Sequence, residues 1–243
     1  MIHIDVINES TVVDNHTVDR WCYAVQHQVN FDVAGVWKTA GAHVVRRDKP
    51  IPGNWVMLIM DDSDVSGALG YHEDLNGVPS GKVFAKTDQK YGLNPCVTLS
   101  HEILEMVGDP WASSVVQMSN TAFTALELCD AVEADAFGYT IAIPASLGGG
   151  TETVSDFLTP AWFNAGDPGP FSYKHNVNAA FTLAKGGYMA IWTNGGWTQK
   201  TNFQEGLISR SQAKTLDGLT GRTGGRVAAG NALEGPDDLF LEE

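Results

Sequence analysis

Apolar residues follow strand and helix periods near the start of the chain, and these patterns predict its first elements. Residues 2–7 alternate apolar and polar positions, which is the period of a half-buried strand. Apolar residues then recur every three or four positions and predict a helix over 15–36. Asn15 or Thr17 can cap the start of this helix, because short polar side chains accept hydrogen bonds from the first free N–H groups.

Shorter runs predict three more strands before the middle of the chain. β-Branched segments bounded by Gly and Pro predict strands at 42–46 and 55–60. A Gly-containing loop at 67–79 leads to another short strand at 82–86. His72 is interpreted as a histidine of this loop without a role of its own.

The next segment carries clear helix start and stop signals. Asn94 is a capping residue, and Pro95 suits the first helical position. Apolar residues recur with helical spacing over 96–107, and the Gly-Asp-Pro sequence at 108–110 ends the pattern. A second helix is predicted over 121–133.

The order of these elements predicts an α+β fold with two parts and a tail. Residues 1–137 are expected to form a mixed sheet with two site-bearing helices. Residues 138–205 are rich in Gly, Pro and aromatic residues and predict an irregular β-and-loop lobe packed on the first part. Residues 206–243 are expected to form a tail that is flexible, or ordered only by assembly.

The charge balance argues against two classes of partner. The chain has 15 basic and 29 acidic residues, so its formal charge is −14. Phosphate backbones and anionic lipids repel such a chain, so nucleic acid and membrane are not expected as main partners. No apolar run of membrane-spanning length and no signal-peptide pattern is evident, which predicts a cytoplasmic protein.

The three cysteines are odd in number and far apart in the sequence. Cys22, Cys96 and Cys129 are therefore expected to be buried free thiols in a reducing compartment. Cys96 and Cys129 flank the helix predicted at 96–107, so a metal-ligand role for them stays open.

Histidine and carboxylates cluster on the predicted helices. His101 and Glu105 are four residues apart and share one helix face, with Glu102 beside them. This is the geometry of a metal-binding helix with a carboxylate able to reach metal-bound water. The second acidic segment offers Glu127, Asp130 and Glu133, whose spacing of three residues also allows a shared helical face.

The His101-Glu102-x-x-Glu105 pattern resembles the H-E-x-x-H helix of zincin metallopeptidases. The acidic segment that follows is similar to the second helix of the gluzincin branch. The resemblance implies Glu127 as a third metal ligand and Glu102 as the catalytic base. It also implies that a nearby aspartate, here Asp130, orients the ligand histidine. Helical spacing adds Asp109 and Glu133 as further candidates at or around the ion.

The chain departs from the zincin pattern at Glu105, where zincins have histidine. The implied set of His101, Glu105 and Glu127 has one imidazole and two carboxylates. Oxygen donors favour harder ions, so calcium, manganese, iron and zinc all stay open as the divalent cofactor.

A looser resemblance to bacterial and bacteriophage proteins without an assigned activity spans roughly residues 54–190. The segments that carry it are Ser100-His101-Glu102-x-Leu104-Glu105 with Asp109-Pro110, Glu127-x-Cys129-Asp130-x-x-Glu133, and Val154-Ser155-Asp156-Phe157-x-x-Pro160-x-Trp162-Phe163.

Three functions follow from these patterns. The first is a metal-dependent hydrolase of the metallopeptidase kind, with a peptide substrate. The second is a non-catalytic structural component of a bacteriophage virion on a degenerate zincin scaffold, with virion proteins or further copies of the chain as partners. The third is a metal that only stabilises the fold.

Overall fold

A computed structural model describes residues 1–64, 68–193 and 196–202. The tail predicted at 206–243 lies outside these residues. Helices and strands both occur in the described chain, and the α+β class predicted from the sequence is confirmed.

The first sheet has five strands in the order β2-β1-β3-β5-β4. Its strands are β1 (Ile2–Asn8), β2 (Ala42–Arg47), β3 (Trp55–Met60), β4 (Gly70–Leu75) and β5 (Val78–Phe84). Four of the strands are parallel, and β4 runs antiparallel to β5 at one edge. The strands predicted at 2–7, 42–46 and 55–60 are confirmed, and the one predicted at 82–86 begins earlier, at Val78.

The loop predicted at 67–79 is wrong, because a β-hairpin occupies most of it. Strands β4 and β5 are joined by Asn76 and Gly77, whose φ angles are 55° and 84°. Such left-handed pairs match the twist of a two-residue hairpin turn, and Asn-Gly is its usual sequence. His72 therefore lies in strand β4 and not in a loop as predicted.

The helix predicted over 15–36 is confirmed as one nearly continuous helical stretch. It consists of α1 (Asn15–His27), a π-helical segment (Gln28–Val33) and α2 (Ala34–Trp37). Its cap is neither Asn15 nor Thr17. The Asp14 carboxylate accepts a hydrogen bond of 2.7 Å from the N–H of Thr17 instead.

Two more helices follow the first sheet. The short α3 (Ala85–Lys90) was not predicted, whereas α4 (Pro95–Gly108) confirms the predicted helix. The Asn94 side chain caps α4 by accepting from the N–H of Cys96 at 2.9 Å. Apolar residues of α1, α4 and the central strands form one buried core, so α4 is held firmly against the sheet.

The second helix predicted over 121–133 is wrong. Residues Ala122–Ala125 form strand β7, and only Asp130–Val132 make a single 3₁₀ turn. The carboxylate spacing suggested a helix, but Phe123 and Thr124 pair with a later strand instead. Tertiary pairing outweighs local spacing here, because a β-branched or aromatic residue packs well on a sheet.

The second sheet is antiparallel with the order β11-β10-β7-β6. Its remaining strands are β6 (Val115–Gln117), β10 (Tyr188–Thr193) and β11 (Gly196–Thr201). A separate hairpin joins β8 (Tyr139–Ala142) to β9 (Thr151–Val154). The second sheet therefore combines strands from both sides of the predicted boundary at 137/138, which itself stays a prediction.

Among the described residues, none of the helices has both the length and the apolar character needed for a membrane crossing.

Candidate metal centre

The polar residues of α4 lie in the interior of the molecule. His101 and Glu102 are each 1% exposed, and Glu105 is fully buried. Burying carboxylates is costly unless a positive group or hydrogen-bond donors compensate them. Their clustering on a helix with an otherwise apolar surface is therefore the feature of the fold that most requires an explanation.

The chain after β7 returns along α4 and is anchored to it at both ends. At the start of α4, the N–H of Asn94 donates to Asp135 Oδ2 at 2.6 Å. At its end, Gly108 lies so close to Leu128 that a Cβ on the glycine would stand 2.3 Å from a Leu128 methyl carbon. These two contacts place the segment between residues 128 and 135 opposite the polar face of α4.

The first group of donor atoms forms where this segment meets His101. His101 Nε2 lies 3.0 Å from Glu105 Oε1 and 3.2 Å from Asp130 Oδ1. Cys129 joins them, because its sulfur and one ligand atom each of His101 and Glu105 lie within 4.8 Å of one another. One imidazole, one thiol and two carboxylates thus converge in the interior.

A second group lies beside the first, where α4 faces the edge strand β4. His72 Nδ1 lies 3.7 Å from Glu105 Oε2 and 3.9 Å from Glu102 Oε2. Gly70, at the start of β4, makes room for this arrangement, since a Cβ there would stand 2.8 Å from Glu102 Oε1. The imidazole of His72 is buried as well, with the whole residue 6% exposed.

These buried His, Glu and Cys groups can hold a metal ion. Two ligand atoms that each lie about 2.1 Å from an ion are separated by about 3.0 Å in octahedral and about 3.4 Å in tetrahedral geometry. The separations of 3.0 and 3.2 Å around His101 Nε2 match this range. Imidazole, thiolate and carboxylate are also the donor types that zinc and its neighbours in the first transition series accept.

The structure brings some of the predicted site residues together and leaves others apart. The structure brings His101, Glu105 and Asp130 together, with Glu102 on the neighbouring side. Neither Glu127 nor Asp130 belongs to a group of mutually close donors among the described residues, and Asp130 contacts His101 of the first group. Glu127 is buried beside Asp130, where the two carboxylates line a small cavity with Tyr188.

Two other candidates occupy different positions. Both carboxylate oxygens of Asp109 accept hydrogen bonds from Ser114, at 2.8 Å from its N–H and 2.9 Å from its hydroxyl. Asp109 therefore fixes the turn that follows α4. Glu133 is fully buried after the 3₁₀ turn and also lies outside the two groups of close donors in the described chain.

Sequence reasoning missed His72 and gave little weight to Cys129. The Asn76-Gly77 pair was the available signal for His72, because it predicts a hairpin whose first strand contains this histidine. For Cys129 the only signal was its position next to Asp130. The return of the chain along α4 was not predictable from local pattern.

The Ser-Asp-Phe segment at 155–157, directly after β9, packs against the far side of the centre. The Ser100 hydroxyl accepts from the N–H of Ser155 at 2.6 Å, and Leu158 donates to the carbonyl of Leu128 at 2.6 Å. Burial raises the pKa of Asp156, although hydrogen bonds from Asn176 and from the N–H groups of Lys174 and Phe157 work in the opposite direction. Hydrogen bonds of residues 155–158 thus connect α4, the segment 128–135 and the residues at 174–176.

The two cysteines outside the centre behave as core residues. Burial raises the pKa of Cys22 and of Cys96 well above the usual value of a thiol. Both are therefore protonated and unreactive at neutral pH, because the thiolate is the reactive form.

Comparison with protein-family models, curated proteins and solved structures found no match to this chain.

Proposed function

We propose that this protein is a metal-dependent hydrolase that cleaves an amide bond, as a metallopeptidase does. The zincin-type scaffold inferred from the sequence is part of this proposal. The ion would be held by His101, Glu105 and Cys129, whose ligand atoms lie within 4.8 Å of one another, with Asp130 beside His101. The third donor is then Cys129 and not Glu127, which the sequence pattern suggested.

One observation carries the proposal. One ligand atom each of His101, Glu105 and Cys129 lies within 4.8 Å of the other two in a buried setting, and His101 Nε2 also lies 3.2 Å from Asp130 Oδ1. The three carboxylates of Glu102, Glu105 and Asp130 face two imidazoles, so the cluster would be negative even with both imidazoles protonated. A divalent cation offsets two of these three negative charges, and imidazoles ligate metals in their neutral form.

Glu102 supplies the acid–base chemistry in this proposal. A bound divalent ion lowers the pKa of a water molecule and polarises a carbonyl group. Glu102 precedes Ile103 on the same helix turn as the ligands, and it points towards the edge strand and His72. In this proposal its carboxylate takes a proton from the attacking water and passes it to the leaving amine.

A second candidate is a closed metal centre that only stabilises the fold. The observation that favours it is burial, since His101, Glu105, Cys129 and Asp130 are all 2% exposed or less. Structural zinc sites are closed, whereas catalytic sites keep one position open to substrate. The two candidates share the ion and differ in whether hydrolysis occurs.

The test is hydrolysis of a mixed peptide library by metal-free protein and by protein reloaded with zinc or manganese. Cleavage that needs the ion and disappears in Glu102→Gln, with the ion at His101 retained, supports the hydrolase. The matched control is Glu73→Gln, since this partly exposed residue of β4 should leave cleavage unchanged.

Two results would overturn the hydrolase. An ion whose removal lowers the melting temperature, without cleavage of any peptide, supports the closed structural centre. Absence of any ion, together with self-association of the full chain, supports the virion component predicted as the alternative.

A further inference from the structure

We propose that the centre accommodates two metal ions, with the Glu105 carboxylate bridging them. This inference rests on the proposed metal centre and adds a second position to it. The first position is formed by His101 and Cys129 with one oxygen of Glu105, and Asp130 lies against His101. The second is formed by His72 and Glu102 with the other oxygen of Glu105.

The two oxygens of Glu105 face different imidazoles, and this is the observation behind the proposal. Oε1 lies 3.0 Å from His101 Nε2, whereas Oε2 lies 3.7 Å from His72 Nδ1. Each imidazole is also close to a further carboxylate, Asp130 for His101 and Glu102 for His72. Glu105 therefore belongs to both groups of close donors, which otherwise share no residue.

His72 is buried and held by strand pairing, so its position beside the carboxylates of α4 is fixed by the fold. His72 lies on β4, whose neighbour β5 fixes it by pairing with Gly81, and the residue is 6% exposed. A histidine of an edge strand could have faced solvent, and here it faces two buried carboxylates on α4. Cation binding between these groups compensates charge that the interior otherwise has to bear.

The two positions differ in donor type and in spacing. The first contains a sulfur atom and separations of 3.0 and 3.2 Å, which suit a small ion with some affinity for thiolate, such as zinc. The second contains nitrogen and oxygen donors, with separations of 3.7 and 3.9 Å. The wider spacing predicts weaker binding, so the first position should fill before the second.

The second position has a consequence for Glu102. An ion there would engage the carboxylate that the hydrolase proposal uses as a base. The one-ion form is therefore the form in which Glu102 remains available for proton transfer, and filling of the second position should lower hydrolysis.

The test is equilibrium dialysis of chelator-treated full-length protein against increasing concentrations of zinc, with bound zinc counted per chain by mass spectrometry. The wild-type protein should bind one ion tightly and a second more weakly. The second step should weaken by more than about tenfold in His72→Gln, while the first remains. In Glu105→Gln both steps should weaken.

The control is His43→Gln, because the exposed His43 stacks edge-to-face with His3 at 5.7 Å and could bind zinc at the surface. Two ions in this variant support the inference. Loss of the second ion in His43→Gln, with its retention in His72→Gln, would overturn it.

The remaining outcomes separate this inference from the proposed function. A single ion at saturating zinc, lost in His101→Ala, overturns the second position and leaves the hydrolase proposal intact. No ion at all overturns both. If His72→Gln does not fold, the wild-type protein loaded with two equivalents of manganese decides the question by electron paramagnetic resonance. Coupled ions support the carboxylate bridge, and the spectrum of isolated ions contradicts it.

Discussion

His101 Nε2 lies 3.2 Å from Asp130 Oδ1, although the two residues belong to different elements. His101 is on a long helix, and Asp130 opens a single 3₁₀ turn in the segment that returns along this helix. The contact exists because Asp135 holds one end of the segment and Leu128 packs on Gly108 at the other. The proposed metal centre depends on this return of the chain.

Asp130→Asn is expected to weaken ion binding by about 10–100-fold, because Asp130 contacts the ligand His101 and loss of such partners costs that much affinity. The amide keeps the size of the side chain and removes its charge. Metal affinity by competition with a chromophoric chelator measures the effect.

The matched control is Asp109→Asn, on the turn after α4. Its carboxylate accepts from Ser114, so this variant should lose some stability and keep the ion. Equal loss of metal in both variants would show that Asp130 affects metal binding only through the stability of the fold.

Gly70→Ala is expected to displace Glu102 and to leave the His101 position intact. The new Cβ would stand 2.8 Å from Glu102 Oε1 and 2.9 Å from the carbonyl oxygen of Lys82 on the paired strand. Overpacking of this kind costs about 1–3 kcal/mol. Peptide hydrolysis and binding of the second ion should both fall, and the first ion should remain.

Gly35→Ala serves as the comparison for that substitution. No atom lies within 4 Å of the corresponding Cβ, and the residue is in the helical segment α2. Its hydrolysis and metal content should match the wild-type protein. Unchanged hydrolysis in Gly70→Ala would contradict the role given to Glu102.

Cys129→Ala tests whether sulfur takes part in the first position. Cobalt-loaded wild-type protein should show sulfur-to-cobalt charge-transfer absorption in the near ultraviolet, and Cys129→Ala should lose it. Cys96→Ala should keep the band, because Cys96 is a buried core thiol on the first turn of α4. A band that persists without Cys129 would exclude its sulfur as the ligand.

Much of the fold was predictable from local pattern, and the reasons are visible in particular residues. The stripe of α1, the Asn94 cap and the stop at Gly108 each depend on neighbours in sequence. The second helix was not predictable correctly, since the segment around Phe123 pairs with a strand far along the chain. Local carboxylate spacing could not reveal that pairing.

The part of the candidate site that α4 carries was predictable from the sequence, and Asp130 was predicted as an additional candidate. His101, Glu102 and Glu105 share one helix, so their proximity follows from helical geometry alone. His72 and Cys129 reach the site through a hairpin and a return segment. Their positions depend on tertiary packing, which cannot be predicted from the local pattern of a single sequence.

Asp5→Asn tests the electrostatics around a buried carboxylate of strand β1, away from the candidate centre. Burial by itself would raise the pKa of Asp5, but hydrogen bonds from the Ile51 N–H, Arg47 and Asn54 outweigh it and hold the pKa below its usual 3.8. A lowered pKa in the folded state means that the ionised carboxylate stabilises the fold above pH 3.8. This contribution is lost as the pH falls through the folded-state pKa.

The variant should therefore be less stable than the wild-type protein by about 1–3 kcal/mol at pH 7. The difference should shrink below pH 3.8. Urea unfolding at several pH values, with the same metal content in both proteins, measures it. Asp48→Asn is the control, because the Asp48 carboxylate that pairs with Arg46 is 93% exposed and such pairs contribute little. A difference that does not depend on pH would contradict this account.

The most direct measurement is the metal content of protein purified without chelators, determined by mass spectrometry beside the His101→Ala and His43→Ala variants. The account predicts at least one ion per chain in the wild-type protein and in His43→Ala, and its loss in His101→Ala. Protein that folds normally but binds no ion, even after incubation with zinc, manganese and calcium, would contradict it.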